Sequence, residues 1–165
     1  MIFVEMFLKE LNQEAVATRK ILAAVPNDRL EWQPHPKSIS LRALAVHIAE
    51  LPTWISLALT TDELDFAAAP NSATNVNTSQ ELTELFEQSL IQARLKLIPE
   101  SETKMNEPWT IRSGETAFST NTKAETVRHT FNQITHHRAQ LEVYLRLLDI
   151  DVPSAYGSTT DNPEF

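Results

Sequence analysis

Apolar residues recur every three or four positions along four stretches of this chain, and strong breakers separate the stretches. In the first, Phe7, Leu8, Leu11, Ala15, Thr18, Leu22 and Val25 share one helical face, from about Val4 to Ala24, and Pro26 closes it. A connector from Asn27 to Lys37 follows. Its Trp32-Gln-Pro-His-Pro36 is expected to be extended, because a residue before proline is pushed out of helical geometry. The second stretch runs from about Ser40 to Thr60, with Ser38 or Ser40 as its cap. Pro52 lies inside it. The apolar pattern continues through Trp54, Ile55, Ala58 and Leu59, so a kink or local break is predicted there, not an end.

Thr61 to Asn77 is acidic, then small and polar, with a short alanine run at 67–69, and reads as a long crossing loop. The third helix opens with Thr78-Ser-Gln-Glu81, which has capping-box spacing. Leu82, Leu85, Phe86, Leu90, Ala93 and Leu97 form its apolar stripe, and Pro99 ends it. Glu107 to Ser119 places β-type residues on either side of Ser-Gly, the pattern of a short hairpin. The fourth helix opens with the capping box Thr122-Lys-Ala-Glu125 and runs to about Leu148. Residues 149–165 form a tail with Pro153, Gly157 and Pro163, expected to lie over the helices. The pattern predicts one all-α domain over 1–165, a four-helix bundle whose long second and third connections permit a crossover topology.

Composition narrows the function more than the fold. The chain has 165 residues, 42% of them hydrophobic and 22% charged, which suffices for a single unstapled core. A net charge of −8 argues against a nucleic-acid-binding face, which needs clustered Lys and Arg. The absence of cysteine removes disulfides, thiolate ligands and a cysteine nucleophile, and suits a cytoplasmic protein. No apolar run approaches the ~18 residues of a membrane span, and the first residues do not read as a signal peptide.

The candidate chemistry lies in histidines. With about 100° between successive helix residues, His47 sits mid-stripe among Leu44, Leu51, Trp54 and Ala58, and Glu50 borders the same face. On the fourth helix His137 shares a face with Ile134, Leu141, Tyr144 and Leu148, and Gln133 lies one turn earlier. His136 and His129 fall at the borders of that stripe, and His35 stands between two prolines in the connector. Neutral imidazoles from two helices suit zinc, nickel or copper, and Glu50 offers a carboxylate to complete a set. A hydrogen-bonded core pair is the other reading. Arg138 and Gln140 flank the inward face and are read as groups that tie helix ends or loops. Glu-x-x-His pairs of di-iron bundles, the His-Glu-x-x-His signature and a Gly-x-Ser-x-Gly elbow are all absent.

His136-His-Arg-Ala-Gln-Leu141, Val143-Tyr-Leu-Arg-Leu-Leu148, Val152-Pro153 and Tyr156-Gly157 together resemble the C-terminal signature of the DinB / YfiT-like superfamily. Leu30-Glu-Trp-Gln-Pro-His-Pro-Lys-Ser38 and Leu44-Ala-Val-His-Ile-Ala-Glu-Leu-Pro-Thr-Trp54 are similar to its connector and second helix. The resemblance implies up-down-down-up helix order, homodimers, and a divalent metal, zinc or nickel, on three histidines at positions matching 47, 133 and 137. It also implies thiol S-transferase-like or related chemistry on small molecules, with low-molecular-weight thiols such as bacillithiol or mycothiol. Here Gln133 replaces one expected histidine. Two functions remain: a metal-dependent transferase or hydrolase built on His47, His137 and Gln133, or a catalytically silent bundle that binds a small molecule or dimerises, with a metal-free His/Gln site.

Overall fold

The computed structural model describes residues 2–68 and 74–163. Five helices carry the fold: α1 (Ile2–Ala23), α2 (Leu41–Glu50), α3 (Thr53–Thr60), α4 (Ser79–Lys96) and α5 (Lys123–Leu147). A short sheet of β1 (Glu63–Asp65), β2 (Pro108–Ser113) and β3 (Thr116–Thr122) accompanies them, with 3-10 turns at Asn27–Arg29 and Pro99–Lys104.

The helix ends are set by local chemistry. Ser40 accepts from the Ala43 amide, and the α2 amides of Leu41 and Arg42 reach the carbonyls of Trp32 and Leu30. The connector therefore supplies the acceptors that a helix N-terminus lacks. Thr122 and Glu125 form a complete capping box at α5. At α4 the box is displaced: Thr78 accepts from Glu81 N, but the Glu81 carboxylate reaches back to Asn77 N. Pro52 separates α2 from α3 with a 45° bend, the local break its position predicts. At the C-terminus of α5, Asp149 adopts a φ of 57°, and the Ile150 and Asp149 amides return to Leu145 and Arg146. That is a Schellman closure made without glycine, and it turns the tail back over the helices.

α1 packs on α4 and α5, and α2 and α3 each pack on the same two helices. One continuous apolar core joins them, including Phe7, Leu11, Ile21, Leu44, Ile48, Phe86, Leu90, Phe131, Ile134 and Leu141. The all-α expectation is corrected by the sheet. The hairpin predicted after Glu107 exists as β2–β3, with Gly114 at φ +56° in its turn. Its partner β1 lies within the segment expected to be loop and pairs parallel with β2. Trp109 explains why the strands hold: it is buried and donates from Nε1 to Thr61 Oγ1 at 3.0 Å. Of the alanine run, Ala69 lies outside the described residues, as do the last two positions of the tail. No single helix among the described residues is long and apolar enough to cross a membrane.

Candidate functional site

α2 and α5 bring His47 and His137 together. Their ring centroids are 4.6 Å apart with planes at 79°, edge against face. Both side chains are half-buried. His47 opens on a cleft of about 270 Å³ lined by Ser40, Arg42, Ala43, Val46, Glu50 and Thr74. Arg42 builds one wall. It pairs with Glu31 and donates to Val76 O and Asn77 Oδ1, pinning residues 75–77 against α2. Glu50 accepts from the Thr74 hydroxyl across the same opening. Burial lowers the pKa of His47, and the neighbouring His137 lowers it further, so His47 is neutral at physiological pH.

The remaining sequence candidates divide. His136 is exposed, with its ring 4.9 Å from that of His137. His35 is exposed in the connector. Gln133 does not bridge His47 and His137: its Nε2 lies 3.1 Å from His129 Nε2, one turn back. An amide nitrogen only donates, so His129 accepts there and carries its proton on Nδ1. The Gln133 amide oxygen makes no hydrogen bond among the described residues. Gln140, expected to tie helix ends or loops, instead meets His137: its Oε1 is 2.8 Å from Nδ1.

A second polar centre, on the other flank of α5, was missed from sequence. Arg138 is only 1% exposed. Its Nη1 donates to Thr18 Oγ1 at 3.1 Å and Glu14 O at 3.3 Å. Its Nη2 lies 2.8 Å from Glu14 Oε2, an ion pair angled outside hydrogen-bond geometry. Tyr156 from the tail covers the guanidinium at 4.8 Å and donates to Glu14 Oε2 at 2.6 Å. The tail signature Tyr156-Gly157 and an arginine on an inward helix border were the only sequence signals for this cluster.

Among the described residues, no group of three or more His, Asp or Glu side chains converges to hold a metal. A metal implied by the family resemblance would have to draw on the imidazoles of His47 and His137 and on the amide oxygen of Gln133, whose nitrogen contacts His129. These donors fit a loosely held divalent cation and not a tightly held one, because an amide oxygen is a poor partner for zinc or nickel.

The whole arrangement is that of a mostly helical protein with a histidine pair of which one member, His47, lines a cleft. The sequence matches the DinB family over residues 1–164, and the chain belongs to that family. Solved structures agree on the fold. A DinB-like protein from Bacillus subtilis matches with a TM-score of 0.70 at 14% identity, covering 91% of this chain and 97% of that one. One from Bacillus cereus matches at 0.68 and 19% identity, covering 92% and 97%. A DinB-family protein from Exiguobacterium sibiricum matches at 0.65 and 20% identity, covering 93% and 97%. No functionally characterised protein matches the sequence.

Proposed function

We propose that this chain handles a small molecule at a weak divalent-cation site formed by His47 and His137, with the Gln133 oxygen as third donor. The reaction class is transfer or hydrolysis, and in the transferase form a low-molecular-weight thiol is the co-substrate. The observation that carries this reading is the 4.6 Å meeting of two half-buried imidazoles, one of which, His47, lines an open cleft. When bound, a zinc or nickel ion supplies Lewis acidity that eases deprotonation of a thiol or water. The residues themselves present neutral nitrogen lone pairs. The cleft walls, held by Arg42 and its partners, keep the approach open. Up-down-down-up helix order belongs to the same proposal. It is supported by the packing of α1 and of the α2–α3 pair on the same two helices.

Metal analysis of protein purified without a histidine tag, followed by zinc titration calorimetry, tests the site. Substoichiometric metal and weak uptake are expected. Gln133→His restores a third nitrogen one turn from His137 and should tighten zinc binding at least about 10-fold. Tight, full occupancy in the unsubstituted chain would falsify the weakened-site reading.

One observation favours a second reading, a catalytically silent, metal-free bundle: the Gln133 amide is engaged by His129. In that case neither the natural chain nor Gln133→His takes up zinc, and the cleft binds its ligand by hydrogen bonds alone. A homodimer accompanies either reading. Ile2 and Met6 stay 79% and 46% exposed on α1, beside a cleft lined by Phe3, Phe7 and Ala124. Sedimentation equilibrium checks it, with Met6→Glu expected to shift the mass toward monomer.

A further inference from the structure

We propose that Gln140 is a positioning residue for His137, fixing which ring nitrogen carries the proton and which is left as a free lone pair beside His47. The two residues are three apart on α5, so their side chains are neighbours on one helix face. The contact is short, 2.8 Å, and runs from Nδ1 to the amide oxygen. An amide oxygen only accepts, so Nδ1 holds the hydrogen. In a neutral ring Nε2 is then the lone pair.

The ring is held from both sides. His47 meets it at 79° and His136 packs against it at 66°, with centroids 4.6 and 4.9 Å away. Gln140 therefore sets the chemistry of a ring whose orientation its neighbours already restrict. This matters because a free neutral imidazole favours the opposite tautomer, with the proton on Nε2. Without Gln140 the nitrogen turned to the site would mostly be a donor, unable to accept a proton or bind a cation. Gln140 is exposed, so substituting it leaves the core intact.

The role is tested on metal-free protein at about pH 8, above the ordinary histidine range, by two-bond ¹H–¹⁵N correlation of the imidazoles. The unsubstituted chain is expected to show His137 mainly as the Nδ1–H form. Gln140→Ala should turn the majority to Nε2–H, and Gln140→Glu, which keeps an acceptor oxygen, should restore Nδ1–H. An Nε2–H majority in the unsubstituted chain, or a tautomer that Gln140→Ala leaves unchanged, overturns the proposal. A second arm rests on the proposed cation site: Gln140→Ala should weaken zinc binding about 10-fold, as loss of an outer-shell partner does. Failure of the unsubstituted chain to take up zinc sinks the cation site alone, because the tautomer is read without metal.

Discussion

His137 and Arg138 are consecutive on α5, yet their surroundings have opposite characters. Arg138 points between α1 and α5 into a closed setting. Thr18, both ends of the Glu14 residue and the Tyr156 ring surround it, and 1% of it is exposed. His137 faces α2, half-open, with one nitrogen engaged by Gln140 and the other unclaimed by any hydrogen bond among the described residues. A buried charge that loses its partner is costly, so the Arg138 guanidinium depends on the Glu14 carboxylate beside it. A half-buried imidazole carries no such demand. A charge enclosed by an ion pair and a ring on one flank, and a ring with one nitrogen left open on the other, separate the structural candidate from the functional one.

The comparison breaks most directly at Arg138. Arg138→Met strands the Glu14 carboxylate and should cost about 3–5 kcal/mol in urea unfolding. Tyr156→Phe removes the hydrogen bonds of the hydroxyl with Glu14 and Thr135 and leaves the ring on the guanidinium. About 1–2 kcal/mol is expected, since the tyrosine is largely exposed. His47→Ala should cost less again, about 1 kcal/mol, while eliminating zinc uptake. A loss as large as that of Arg138→Met would make the histidine pair a structural element.

A smaller effect is expected at Glu102. The backbone N–H of Val4, with those of Phe3 and Ile2, holds its carboxyl below the ordinary range. A carboxylate depressed in the folded state stabilises fully above the unfolded pKa of about 4.3, and that contribution is lost as pH falls through the folded value. The gap in thermal midpoint between the natural chain and Glu102→Gln should therefore be full at about pH 6 and shrink toward pH 3. His35→Ala, in the exposed connector, should change stability by no more than about 0.5 kcal/mol and leave zinc uptake alone.

Helix positions were legible because their signals are local. Ser40, Thr78 and Thr122 cap where the sequence placed them, and Pro52 breaks the second helical stretch where its ring must. The pairing of β1 with β2 was not legible, because Glu63 and Thr110 are joined only by tertiary folding. The His47–His137 meeting could be anticipated from two apolar stripes. The direction of Gln133 could not: helical side chains lean toward the N-terminus, which carries its amide to His129 and away from His137. The role of Gln140 was visible as an i, i+3 spacing, but nothing in the pattern distinguished a ring contact from a loop tie.

Glu102 has a consequence for the order in which the molecule assembles. Its two oxygens receive the amides of Ile2, Phe3 and Val4 at 2.8, 3.0 and 2.9 Å, across about a hundred residues of chain. During synthesis those amides can reach this acceptor only after the segment carrying Glu102 has emerged. Deuterium uptake at those three amides thus reports long-range closure, although they lie within α1.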